Sequence, residues 1–259
     1  MARTERNIRL IVEYDGTFYH GFQTQDDPSL PTIQSALEAA ILTICQEQVR
    51  IIGSGRTDAG AHALGQVVNF PTGASIPIER FPAALNSALP RDIRIKRADC
   101  VPQAFHSRFD AVAKTYHYIV DNRPLPSVFW RNYTYHVSGD LDLGTIREAG
   151  ELLVGTKDFA SFQTSGSSAR TSVRSIYHLR VSESEGLITF AIRANGFLYN
   201  MVRNIVGTLL EVGKGRLAVH QIPDIIAAQD RSRAGPTAPA HGLYLVDVEY
   251  DGRDGTLNA

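Results

Sequence analysis

The sequence predicts an α+β fold of two ferredoxin-like halves. Their mixed, mostly antiparallel sheets are expected to join into one large central sheet with a cleft, with the helices packed on the outer side. Three observations carry that expectation. Residues 1–104 read as β-α-β-β-α-β. Residues 105–259 partly repeat the pattern, and the best boundary lies near Pro102 to His106. Finally, 259 residues with 43% hydrophobic content can bury one large core or two smaller ones.

The elements follow in order. Residues 7–14 alternate, are rich in Ile, Leu and Val, and stop at the turn signal Asp15-Gly16. Ile33, Ala36, Leu37, Ala40, Ile41 and Ile44 fall at helical spacing, with Pro31 near the start, where its missing N–H does no harm. Strand-like Ile51-Ile52 and residues 66–70 flank a glycine-rich loop, in which glycine supplies the positive φ of a sharp turn. Ile78, Phe81, Leu85 and Leu89 mark a second helix, and Ile93-Arg94-Ile95 begins another strand. In the second half, residues 114–120 are strand-like, and Ile146, Ala149, Gly150 and Leu153 mark a helix. Two alternating runs, 175–182 and 187–194, are joined by Glu185-Gly186 as a hairpin turn. A helix from about Leu198, another over 222–228 and a strand over 242–250 complete the chain, while residues 234–240 read as a loop rather than a linker.

Composition narrows the class. The formal net charge is -1, so no global positive field marks a nucleic-acid partner. The chain nevertheless holds 22 Arg and 4 Lys. Arginine forks match phosphates and stack on bases, and a GC-rich genome gives the same bias. Cys45 and Cys100 lack CxxC spacing, so a disulfide framework and a zinc site are disfavoured and a reducing cytoplasm is the natural compartment. The amino terminus is polar, without the apolar core of a signal peptide. No apolar run reaches the roughly 20 residues that span a bilayer. His62, His106 and His178 show no metal-ligand spacing, and neither GxxxxGK[ST] nor a GxGxxG that opens a helix is present, which disfavours ATP or NAD chemistry.

Three segments carry chemistry. In Gly53-Ser54-Gly55-Arg56-Thr57-Asp58-Ala59-Gly60-Ala61-His62, small residues surround an arginine and a carboxylate. Asp58 reads either as a nucleophile or general base, or as an ordinary Asx-turn or helix-cap aspartate. In Gly196-Phe197-Leu198-Tyr199-Asn200-Met201-Val202-Arg203-Asn204, Arg203 lies roughly 110° from the centre of the apolar helix face, at its edge. It either snorkels over its own helix or pairs with a carboxylate and holds that group ionised. In Lys114-Thr115-Tyr116-His117-Tyr118, alternation puts Tyr116 and Tyr118 on one face and His117 on the other. Tyr116 then either stacks on a base or packs in the core. Cys45 sits on an apolar helix face and reads as core.

Taken together, GSGRTDAGAHALGQVVNF, KTYHYIV, GFLYNMVRN and APAHGLYLVDVEY resemble the TruA family of tRNA pseudouridine synthases over nearly the whole chain, including Tyr14-Asp15-Gly16-Thr17 and Gly21-Phe22-Gln23 near the start. The resemblance implies isomerisation of uridine to pseudouridine at positions 38 to 40 of the tRNA anticodon arm, by a cytoplasmic homodimer with positively charged clefts and no metal or cofactor. It implies Asp58 as the catalytic aspartate, Tyr116 as the stacking tyrosine, Arg203 as the partner of the aspartate, Arg56 as the group that displaces the base, and Leu243 as a pocket wall. The chemistry is compatible, because a single carboxylate suffices if the base stays trapped, whereas a glycosidase pairs two to admit water. A stacked uridine must also leave its helix, at a cost of a few kcal/mol. C1′ of the ribose, C6 of the base and a ribose proton all remain open as targets of Asp58. Two other classes also stay open: a non-catalytic tRNA-binding protein and a carboxylate-dependent nucleoside glycosidase.

Overall fold

The computed structural model describes residues 5–27, 29–166 and 169–251. Among them the fold is α+β, with ten strands and five α-helices. The polar residues 1–4 at the amino terminus lie outside the described residues. The chain divides into two compact units. One runs to Val112 and resumes at Leu245, and the other is Ala113–Tyr244.

The first unit contains β1 (Arg6–Tyr14), α1 (Ile33–Cys45), β2 (Ile52–Gly53), β3 (His62–Thr72), α2 (Phe81–Ala88) and β4 (Ile93–Val101). It also takes in most of the last strand of the chain, Leu243–Tyr250. Strand β1 pairs antiparallel with both β3 and β4, and β2 pairs antiparallel with β3. That order is the split β-α-β arrangement read from the sequence. Ile8, Leu10 and Val12 of β1 are fully buried. The opposite face is covered too, so β1 is buried on both sides and does not alternate cleanly. Arg9 reaches Asp99 at 3.0 Å and lies over the rings of Phe105 and Tyr250. Helix α1 is opened by a capping box in which Thr32 and Ser35 exchange bonds, and it ends at Gln46 in the left-handed region.

The sequence expectation breaks the chain at 104/105, whereas the contacts divide it at Val112/Ala113. The side chains explain the difference. Asn7 Nδ2 donates to Phe105 O at 3.0 Å, and Ser107 N donates to Asn69 Oδ1 at 2.9 Å. Tyr250, far along the chain, donates to Ser107 O at 2.7 Å. Polar anchors of this kind leave no trace in hydrophobic periodicity.

The second unit holds β5 (Ala111–Asp121) from Ala113 onward, β6 (Tyr135–His136), α3 (Leu143–Glu151), β7 (Gly155–Asp158), β8 (Val173–Ser184), β9 (Leu187–Ala194), α4 (Met201–Gly213), α5 (Gln221–Ala228) and the start of β10 (Leu243–Tyr250). Its sheet runs β5–β9–β8–β7, antiparallel throughout, with β6 parallel to β5. Glu185 and Gly186 turn the β8–β9 hairpin with φ of 54° and 75°, the mirror-image turn that matches strand twist. Ile188, Phe190, Ile192 and Ala194 point to one side and are buried.

Local chemistry moves several boundaries. The second helix begins as a 3-10 turn over Ile78–Arg80 before α2, and Leu89 is extended because Pro90 follows it. Helix α4 starts at Met201, three residues after Leu198, because Asn200 is left-handed at φ 60°. Leu153 lies beyond α3 yet is fully buried.

Candidate active site

Asp58 is half-buried on the loop between β2 and β3, and Arg56 beside it is exposed. The residue between them, Thr57, is buried and fixes the loop. Its hydroxyl meets Tyr14 Oη at 2.8 Å. Gln66, fully buried in β3, accepts from Ser54 Oγ at 2.6 Å and donates to Gly55 O at 2.9 Å. These four side chains form a closed polar network under the loop. Burial dominates the Tyr14 hydroxyl and pushes its pKa up to about 12, against the smaller opposing effect of its bonds to Thr57 and Gln66. Tyr14 therefore stays protonated in neutral solution.

The outer side of the loop is clamped by the segment that enters α1. Phe22 N donates to Thr57 O at 3.1 Å, and Gly60 N to Tyr19 O at 3.2 Å. That segment is seated on the first turn of the helix, where Ile33 N and Gln34 N donate to Gly21 O and Phe22 O. Asp58 O accepts from Ala61 N at 3.1 Å, closing the turn that presents the carboxylate. The loop glycines divide in purpose. Gly60 has the positive φ expected of a sharp turn, at 78°. Gly53 does not; a Cβ there would come within 2.4 Å of the Phe22 ring, so it is small to admit that ring.

In the second unit, Tyr116 is buried on β5 and its ring meets Phe197 edge-on at 4.9 Å. Tyr118, on the same face, donates its hydroxyl to Pro239 O at 2.7 Å, and burial raises its pKa despite the Arg203 charge nearby. Arg203 Nε donates to Ala238 O at 2.7 Å, and Ala238 N returns a bond to Arg203 O at 3.2 Å. One guanidinium N–H of Arg203 reaches Asn200 Oδ1 at 2.9 Å, while Asn200 Nδ2 holds Thr164 Oγ1 at 3.1 Å. Leu243, buried at the start of β10, follows the turn Ala240–Gly242. The segment 238–243 therefore braces Arg203 and Tyr118 and delivers Leu243. Three of the five expected residues, Tyr116, Arg203 and Leu243, belong to the second unit; Arg56 and Asp58 share the loop of the first.

Sequence reasoning missed the supports: Tyr14, Ser54, Thr57 and Gln66 under the loop, and Asn200, Thr164 and Ala238 around Arg203. All of these except Thr164 lay inside the quoted motifs, and Gln66 is a polar residue at the head of an apolar strand. Among the described residues no group of three or more His, Cys, Asp or Glu side chains could hold a metal ion, and no helix is long and apolar enough to cross a membrane.

The class of this α+β chain is identified by known sequences. The tRNA pseudouridine synthase family profile matches residues 10–110 and 149–251, and the chain belongs to that family. The relative named tRNA pseudouridine synthase A from Acetivibrio thermocellus is 50% identical over 245 residues, covering 95% of this chain and 100% of its own. The tRNA pseudouridine synthase A 2 of Clostridium tetani is 49% identical over 246 residues, 95% of this chain and 99% of its own. The tRNA pseudouridine synthase A of Thermoanaerobacter sp. strain X514 is 46% identical over 245 residues, 95% of this chain and 100% of its own.

Proposed function

We propose that this protein isomerises uridine to pseudouridine in tRNA, at positions 38 to 40 of the anticodon arm, with Asp58 as the nucleophile. The observation that carries the activity is the full-length likeness to relatives named tRNA pseudouridine synthase A, at 50% identity over 95% of the chain. The rigid presentation of a half-buried Asp58 on a small-residue loop supports its role. The atoms balance without a co-reactant: the C1′–N1 bond breaks, the base turns, C1′–C5 forms, the C5 proton leaves and N1 gains one. Nothing is oxidised or reduced.

Each further residue has a stated task. Arg203 serves as the cationic partner of the catalytic aspartate. Tyr116 stacks on the uracil and keeps it in the site between bond breaking and bond making, and Leu243 forms an apolar wall. Arg56, exposed on the same loop, fills the space that the flipped base leaves. The enzyme works in the cytoplasm as a homodimer, and its near-neutral charge makes recognition local rather than global.

The test is nucleoside analysis of an unmodified tRNA transcript after incubation with the protein. Pseudouridine at positions 38 to 40, with no free uracil, is the expected result. Free uracil would make the protein a glycosidase, and unchanged tRNA bound by the protein would make it a binder only. Replacing Arg203 with Ala should lower turnover more than tRNA affinity; equal losses would make it a phosphate contact.

A further inference from the structure

The segment that follows β4 has a buried base and an exposed tip. At the base, Phe105 O accepts from Asn7 Nδ2 at 3.0 Å and from Asn69 Nδ2 at 3.3 Å. Ser107 is fully buried; its N–H goes to Asn69 Oδ1 at 2.9 Å, its hydroxyl to Ile52 O at 2.6 Å, and its carbonyl accepts from Tyr250 Oη at 2.7 Å. The tip is closed by Asp110, whose carboxylate accepts His106 N at 2.8 Å, and by Phe109 N donating to His106 O at 3.2 Å.

This anchored turn holds an aromatic ring in water. Phe109 is 75% exposed. Its ring lies 4.2 Å from that of His106, tilted by 32°, and the guanidinium carbon of Arg108 stands 5.7 Å from the Phe109 centroid. Arg108 has no carboxylate partner among the described residues. A single exposed apolar side chain is ordinary on a protein surface. Here, however, the ring is backed by a second ring, flanked by an unpaired cation and fixed from below. A pre-set ring loses little freedom when a flat partner stacks on it. An exposed aromatic beside an arginine fits an unpaired base and its phosphate. The turn is also registered to the Asp58 loop, because Ile52, which Ser107 grips, immediately precedes Gly53.

We propose that Phe109, backed by His106, is a stacking platform for an unpaired base of the RNA substrate, and that Arg108 contacts the adjoining phosphate. The assignment rests on the reading of the protein as a tRNA-modifying enzyme and adds a contact away from the reacting uridine. An unmodified tRNA transcript is the probe, titrated against the full-length protein by filter binding and assayed for turnover in parallel. Phe109→Ala is expected to weaken binding roughly five- to hundred-fold, the range that loss of one base–aromatic stack gives, and to raise KM more than it lowers kcat. Phe109→Trp restores affinity. Arg108→Ala lowers the slope of log affinity against log salt by about one, which Phe109→Ala does not. Unchanged affinity in Phe109→Ala overturns the proposal. So does a change of oligomeric state in that variant by sedimentation, which would make the ring a protein contact. A wild type that binds tRNA without forming pseudouridine would defeat the functional reading and leave the binding comparison still decisive.

Discussion

Thr57 separates Arg56 from Asp58 on the loop, and its hydroxyl ties the loop to Tyr14. Tyr14→Phe deletes the phenol that meets it and leaves Thr57 and Gln66 each short of a buried partner. The expected loss is about 1–3 kcal/mol of stability, together with a several-fold fall in kcat as the loop loosens. Thermal melts and single-turnover assays of the variant measure both. The same phenol sets a pH dependence. Below pH 10 it is protonated whether the chain is folded or not, so its contribution is constant. Between pH 10 and about 12 the unfolded chain releases the proton and the folded chain does not, so stability falls as pH rises. Tyr14→Phe should flatten that part of the alkaline melting curve. Asp58 and Arg56 stood out in the sequence because an arginine and a carboxylate among glycines are conspicuous. Tyr14 and Gln66 did not, because a residue type says nothing of which buried partner it meets.

Helix α4 and the segment at 234–240 form a single device. Gly207 lies in the interior of α4, where glycine normally costs about 1 kcal/mol relative to alanine. A Cβ at Gly207 would come within 1.7 Å of Pro236 O, so steric exclusion outweighs helix propensity. Gly207→Ala is therefore expected to destabilise the protein by more than about 2 kcal/mol where propensity alone would stabilise it. Turnover should fall with it, because the displaced segment includes Ala238, which holds Arg203. Denaturant titration and kcat of the same variant check the sign. The apolar stripe made α4 legible, but its start was not: Asn200 is left-handed, and a hydrophobic pattern does not report φ. The two-residue β6 and four-residue β7 were too short to show a period, and β7 carries no apolar alternation.

Across the whole molecule, the chain order hides one return. From Leu245 onward the last strand belongs to the first unit, beside β3, where Val246 O sits so near Gly65 that a Cβ there would lie within 2.4 Å of it. Split β-α-β patterning over residues 1–104 was readable because its helices and strands carry different periods. The returning strand reads simply as a strand, since its partner is some 180 residues away and pairing is not written in local pattern. A chain ending at Tyr244 should therefore lose the cooperative melt of the first unit, deprived of the strand beside β3 and of the Tyr250 bond to Ser107. Differential scanning calorimetry would show it. An unchanged melt would mean that residues 245–259 add nothing to that unit. The most direct test of the central claim is tritium release from tRNA carrying 5-tritiated uridine. Wild type should release the label as pseudouridine forms, and Asp58→Ala and Asp58→Asn should fall to background while still binding tRNA. Release by Asp58→Ala at the wild-type rate, or none by the wild type, would contradict the account.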